Sequence, residues 1–263
     1  MNIYEKTAQL IPQLEQRENI EILYMCESGS RAWGFPSPNS DYDLRFIYKK
    51  PRNWYLELGH QQDTLDWFAE DNLLDFSGWD VRKTLDLFVK CNLQLNEQLA
   101  SPVVYYSKPE FTSRMQELIP AYFRPIKGMY HYFSCARNAK EALNGANEIK
   151  VKALFYIVRP LCCCAWIDNN ASMPPTAFVP SLDLPIFSQS EFSGFKEFML
   201  ELIEKKKSVE EAGLIPFTGE IRLWTELLFN RMKLKTDHAA ERFAGFNKPG
   251  FQPVNELLLK TIL

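Results

Sequence analysis

Histidine is scarce in these 263 residues: His60, His131 and His238 lie far apart, and no Cys-x-x-Cys pair accompanies them. That spacing argues against a zinc centre. Three of the six cysteines, Cys162, Cys163 and Cys164, are consecutive within a helical pattern. Their side chains fan apart and do not converge on one ion, so the cysteines read as buried free thiols. An excess of basic charge is also missing. Thirty-three acids against thirty bases leave a net charge of −3, which excludes a bulk polyanion binder; any nucleic-acid contact must come from a local patch. No long apolar run occurs. The strongest, residues 153–167, is broken by Arg159 and Pro160 and falls short of the ~20 residues a membrane span needs. The first residues lack the basic-then-apolar order of a signal peptide. The expectation is a soluble, cytoplasmic protein without a membrane partner. Internal repeats and low-complexity tracts are absent too.

What is present is ample core material, with 46% hydrophobic and 14% aromatic residues. The length suits one large domain or two small ones. Apolar spacing predicts a helix over residues 4–17, with Pro12 as a kink, and a buried strand over 21–26. Residues 27–30 form a turn that can open a helix at Arg31, and 36–40 are a loop of turn formers. Strands follow over 41–48, 64–69 and 72–79. Beyond Val81 the texture changes to helical spacing over 81–90, 111–118, 128–143, 148–167, 191–207 and 221–235. The proline-rich stretch 173–185 is a non-helical crossing. The fold expected is α+β: a small mixed-sheet domain over residues 1–107, then an all-helical domain over 108–263.

The chemistry lies in Gly29-Ser30-Arg31-Ala32-Trp33-Gly34 and, after a polar loop, Ser40-Asp41-Tyr42-Asp43-Leu44. Side chains alternate along a strand, so Asp41 and Asp43 project from one face. Two adjacent carboxylates repel each other; a divalent cation resolves the conflict, and oxygen ligands suit Mg²⁺. Gly29 lets backbone approach a ligand closely, while Ser30 and the helix start after it offer donors to phosphate. A phosphate grip beside a metal seat describes a nucleoside-triphosphate site. The bland alternative is an exposed Asp-x-Asp pair with no function.

These strings resemble the signature of the DNA polymerase β-like nucleotidyltransferase superfamily. The longer runs Glu27 to Phe35 and Ser40 to Tyr48 are closer to one branch, the predicted bacterial nucleotidyltransferases sometimes linked with RNA repair. Leu74-Asp75-Phe76-Ser77-Gly78-Trp79-Asp80-Val81-Arg82-Lys83, Ser101-Pro102-Val103-Val104-Tyr105, and Arg159-Pro160-Leu161 with Trp166-Ile167 extend the resemblance. It implies a palm-like catalytic domain followed by a helical substrate-binding domain. The implied reaction moves a nucleoside monophosphate from a triphosphate to an acceptor hydroxyl, releasing pyrophosphate. Asp41 and Asp43 would bridge two Mg²⁺ ions, and a third carboxylate on a neighbouring strand would stand near the attacking hydroxyl. Asp75, mid-strand, is preferred for that place. Asp80 is the alternative, since an N-cap role also explains it, and Asp66 is a distant third.

Gly29, Ser30, Arg31 and Ser40 are the candidate nucleotide contacts. Lys152, Tyr156 and Arg159, at i, i+4 and i+7 of one helix, form a face that either reaches the nucleotide or is merely solvated and salt-bridged. The acceptor stays open among an RNA end (a tRNA-sized contact needs only a few cations), a protein hydroxyl and a small molecule. Two competing classes are a nucleotide-binding regulatory protein without transfer activity and a helical interaction module. Retained, mutually repelling acids at Asp41 and Asp43 argue against the first.

Overall fold

The computed structural model describes residues 2–59, 61–69, 73–143, 145–208, 213–247 and 249–263. His60, and the expected start of a strand at Asn72, lie outside them. No helix among the described residues is long and apolar enough to cross a membrane.

The chain forms two compact units. One comprises Met1–Ala32, Asp41–Tyr122 and Lys248–Leu263; the other comprises Trp33–Ser40 and Phe123–Asn247. The units therefore do not divide at residue 107, and neither is continuous in sequence.

The first unit contains α1 (Ile3–Glu18), β1 (Glu21–Glu27), α2 (Gly29–Trp33, whose last residue clusters with the other unit), β2 (Tyr42–Lys49), β3 (Thr64–Ala69), β4 (Leu74–Asp80), α3 (Val81–Val89), α4 (Leu93–Leu99), β5 (Val104–Ser107) and α5 (Pro109–Tyr122). Pro12 lies inside α1, which runs on unbroken around it. The five strands make one mixed sheet in the order β3-β4-β2-β1-β5. Only the β2–β4 pair is parallel, in a register that sets Asp43 beside Asp75 and Arg45 beside Ser77.

Period-two alternation along β2 and β4, and a register shift within β1 after Ile22, divide the sheet residues between two cores. Ile22, Met25, Leu44, Phe46 and Phe76 pack with Ile11 and Leu14 of α1. On the opposite face, Leu23, Cys26 and Ile47 pack with Val81, Leu85 and Phe88 of α3 and with Leu95 and Leu99 of α4. Phe111, Met115, Leu118 and Tyr122 of α5 join that second core. This shared apolar burial is why α5 stays with the sheet rather than with the helices that follow.

The second unit contains α6 (Pro125–Glu141), β6 (Glu148–Lys150), α7 (Val151–Asn170), α8 (Phe195–Ser208), β7 (Leu214–Pro216), α9 (Gly219–Asp237) and α10 (Ala239–Arg242). The chain then returns to the first unit as α11 (Gln252–Ile262), whose Val254 and Leu257 enter the α3 core. The second unit is not wholly helical. β6 and β7 pair antiparallel with Ile149 opposite Ile215, and both isoleucines are buried between exposed neighbours. That isolated apolar pattern favours a short ladder, so the helix expected from residue 148 begins at Val151. The loop 33–40 belongs here because the Phe35 ring stacks on Phe155 at 4.2 Å, and Lys206 Nζ donates to the Phe35 carbonyl at 2.9 Å. Cys162, Cys163 and Cys164 are buried thiols in α7, as are Cys26 and Cys91 elsewhere; Cys135 is exposed.

Candidate active site

Strand β1 delivers the chain to a turn at Ser28, and Gly29 takes it around that turn with φ of +61°. Few L side chains tolerate that backbone region. Space demands glycine as well: a Cβ at position 29 would lie 2.1 Å from Asp43 Oδ2. The Ser28 N–H donates to the Asp43 carbonyl at 2.9 Å, tying this turn to the start of β2. Gly29 and Asp43 are thus brought together as the sequence spacing implied.

Glu27, the last residue of β1, is fully buried and holds the same segment. Its Oε1 accepts the Asp43 N–H at 2.8 Å, and its Oε2 accepts the Tyr105 hydroxyl. Burial pushes the Glu27 carboxyl up to about 7; the Tyr105 and Asp43 hydrogen bonds oppose that shift only in part. Sequence reasoning passed over Glu27 and Tyr105. Both residues stand in strings that carry the family resemblance, but neither string assigns them a role.

Asp43 and Asp75 lie on neighbouring parallel strands in direct register. One nitrogen, Arg45 Nη2, donates to Asp43 Oδ1 at 2.9 Å and to Asp75 Oδ2 at 2.8 Å. Arg45 Nη1 donates to the Asp75 carbonyl at 3.0 Å. Arg45 is two residues from Asp43 and so shares its face of β2.

Asp41 behaves differently from the expectation. β2 begins at Tyr42, so Asp41 precedes the strand and its side chain is exposed. Its carbonyl accepts Arg31 Nε at 3.1 Å, and the Arg31 guanidinium lies 3.7 Å above the Tyr42 ring. Among the described residues no three Asp, Glu, His or Cys side chains are grouped to hold a metal. The expected trio is therefore present as the pair Asp43–Asp75, joined through Arg45, with Asp41 just outside the strand and not grouped with them.

The pair itself suits a hard cation. Two carboxylate oxygens already aim at one positively charged atom, and the missing Cβ of Gly29 makes room for the Asp43 carboxylate.

Asp80 stands apart from this group. It is fully buried and caps α3, accepting the Arg82 N–H at 2.8 Å and the Tyr55 hydroxyl at 2.6 Å. Burial raises its pKa despite those bonds. The alternation along β4 separates it from Asp75. Asp66, on β3, pairs in register with Ser77 rather than with Asp75.

Ser30 and Arg31 lie on α2, which has only five residues. So short a helix carries little dipole, and phosphate recognition would fall to the side chains. Ser40 is buried: its Oγ accepts the Ser37 N–H at 2.9 Å and contacts Ser37 Oγ at 2.8 Å. That hydroxyl closes the 36–40 loop and is not presented to a ligand.

Lys152, Tyr156 and Arg159 belong to α7 in the second unit, and their shared face is not uniform. Lys152 and Tyr156 are exposed, whereas Arg159 is 5% exposed. The Arg159 guanidinium lies 4.3 Å from the Trp33 ring, and Tyr156 meets that ring edge-on at 5.8 Å. Arg159 also donates to the Thr176 carbonyl at 3.4 Å. It is a packed cation, unlike the solvated, salt-bridged face that was the alternative to a nucleotide contact. Trp33 is the ring that organises this face, and no sequence pattern gives it that role.

A family profile described as RlaP, RNA repair pathway DNA polymerase beta family, matches residues 3–260. The uncharacterized protein YcgL of Bacillus subtilis (strain 168) is 37% identical over 253 residues, covering 96% of this chain and 94% of that protein. The crystal structure of a nucleotidyltransferase-like protein from Exiguobacterium sibiricum 255-15 aligns with 99% of this chain and 89% of its own. The identity there is 8% and the TM-score 0.32, too low a likeness to carry a structural argument.

Proposed function

The chain belongs to the RNA repair pathway DNA polymerase beta family, and from that premise we propose that it moves a nucleoside monophosphate from a nucleoside triphosphate to an acceptor hydroxyl, releasing pyrophosphate. One observation carries the proposal. Asp43 and Asp75 are register partners on adjacent parallel strands, and their oxygens converge on a single cationic point beside Gly29. A purely structural sheet rarely sets two carboxylates side by side.

Asp43 and Asp75 would hold Mg²⁺, with Asp41 available at the mouth of β2; the ion supplies neutralisation of phosphoryl charge and a more acidic acceptor hydroxyl. The protein's own groups do the rest. The Gly29 turn lets phosphate oxygens come close to the backbone. Ser30 and Arg31 supply a hydroxyl and a guanidinium to those oxygens. The Asp75 carboxylate receives the proton that the acceptor hydroxyl loses. Glu27, through the Asp43 N–H, fixes the strand segment that carries Asp43 and so acts as a positioning residue.

The acceptor we favour is an RNA end, in keeping with the family description. Incubating the pure protein with each labelled triphosphate, Mg²⁺ and either total RNA or an RNA-free extract tests both levels. Label should pass to RNA from one preferred triphosphate, with release of pyrophosphate. Label on a protein or small molecule overturns the acceptor alone. Absence of transfer from all four triphosphates, together with no Mg²⁺-dependent triphosphate binding, overturns the activity.

A further inference from the structure

We propose that Arg45 is a built-in counter-cation of the carboxylate pair, which a divalent ion must displace to enter the site. The proposal rests on the metal reading above and deepens it by making metal and triphosphate binding interdependent.

The geometry is specific. A single atom, Arg45 Nη2, makes both charged hydrogen bonds, at 2.9 Å to Asp43 Oδ1 and 2.8 Å to Asp75 Oδ2. The guanidinium therefore sits at the point on which the two acids converge, and a metal ion cannot share it. The side chain is 15% exposed. Its second nitrogen is anchored 3.0 Å from the Asp75 carbonyl, so the arrangement is held at three acceptor atoms rather than by a loose surface contact.

Arginine stays protonated at any ordinary pH. One positive charge thus stands between two carboxylates, so the metal-free chain carries two adjacent acids with their mutual repulsion reduced though not cancelled. The same feature handicaps a metal: it must break two charge-assisted bonds and leave a partly buried cation without its carboxylate partners. A triphosphate alters that balance. The planar fork of a released guanidinium matches phosphate oxygens, so a nucleotide arriving with the metal gives Arg45 a new anionic partner. Metal should bind weakly alone and tightly with nucleotide, and by linkage each should strengthen the other equally.

The test measures binding, not turnover. Mn²⁺ is titrated calorimetrically into metal-free wild type, Arg45→Met, Arg45→Lys and Asp43→Asn, with and without a non-hydrolysable triphosphate. Without nucleotide, Arg45→Met should bind Mn²⁺ about tenfold more tightly than wild type, within the usual range of coupling factors. The gain in Mn²⁺ affinity on adding triphosphate should shrink in that variant, and Arg45→Lys should fall between the two. Equal or weaker Mn²⁺ binding by Arg45→Met, with Asp43→Asn still abolishing it, overturns the role of Arg45 while the metal site stands. No Mn²⁺ binding by wild type or Arg45→Met, with or without triphosphate, overturns the metal reading and this proposal together. If Arg45→Met does not fold, wild type alone decides through ¹⁵N-arginine side-chain spectra. The resonance assigned to Arg45 by its loss in Arg45→Lys should shift at saturating Mg²⁺ plus triphosphate; an unmoved resonance overturns the proposal.

Discussion

The Cβ that Gly29 lacks would stand 2.1 Å from Asp43 Oδ2, and Gly29 itself has φ of +61°. Two independent constraints, one steric and one conformational, thus meet at one residue. Gly29→Ala should lose about 1–2 kcal/mol from the backbone strain and turn the Asp43 carboxylate from its position. Melting temperature and nucleotide transfer should fall together. Full transfer in this variant would mean that the close approach of Gly29 and Asp43 has no catalytic consequence.

Asp75 and Asp80 should separate by phenotype. Asp75→Asn keeps its shape and strand, so stability should change little, whereas transfer should drop by more than the ~10–100-fold typical of groups behind a metal ligand. Asp80→Ala removes the α3 cap and the acceptor of the Tyr55 hydroxyl, which keeps only the Lys50 N–H it accepts. It should cost about 2 kcal/mol and leave most turnover intact. Thermal melts and transfer assays on both variants check this, and the opposite pattern would assign the third carboxylate to Asp80.

Tyr105→Phe should be more harmful than Glu27→Gln. Removing the tyrosine hydroxyl takes the donor from Oε2 of a fully buried carboxylate while Oε1 keeps the Asp43 N–H, a cost of about 1–3 kcal/mol. Glutamine keeps an acceptor for Asp43 and adds a donor toward Tyr105, so denaturant melts of Glu27→Gln should stay close to wild type. A large loss in Glu27→Gln would show that the charge itself is required.

Acid should weaken the attachment of α5 to the sheet. Burial alone would raise the Glu21 carboxyl, but hydrogen bonds from Lys108 and Lys49 prevail and hold it below its ordinary value of 4.5. The folded value lies under the unfolded one, so this stabilisation is complete above about pH 4.5 and is lost as pH falls through the lowered value. These groups are partly exposed, which limits the effect to under about 1 kcal/mol. Glu21→Gln should melt slightly below wild type at pH 7, and the gap should narrow as pH falls below about 4.5. Equal melting at pH 7 would mean the ion pairs contribute nothing.

Trp33→Ala should destabilise the second unit through Arg159. The buried guanidinium would lose an aromatic face 4.3 Å away, a contact worth up to about 2 kcal/mol when desolvated, besides the packing of the ring itself. Trp33→Phe should recover part of the loss, and melting curves of the two variants measure it. An unchanged melt of Trp33→Ala would remove any organising role for this ring.

Local features of this molecule were legible in its sequence because local chemistry sets them. Alternation along residues 74–80 separates Asp75 from Asp80, and the acid before a helical pattern caps α3. Glycine before a serine marks the tight turn at β1. Helical spacing places α3, α5, α6, α7 and α9 to within a few residues. Non-local pairing was not legible. Whether α5 joins the sheet, whether Ile149 meets Ile215, and where β2 begins depend on contacts with chain far away, which no period within one segment encodes. The same holds at the site. Sequence placed Asp41 with Asp43 because they are two residues apart, and named Asp75 as their partner only through the family resemblance; the fold joins Asp43 to Asp75, thirty-two residues on, by laying β4 parallel to β2 in one register. That register is chosen by burial of Leu44, Phe46, Leu74 and Phe76 on the opposite face, so the apolar core decides which acids meet and puts Arg45 between them.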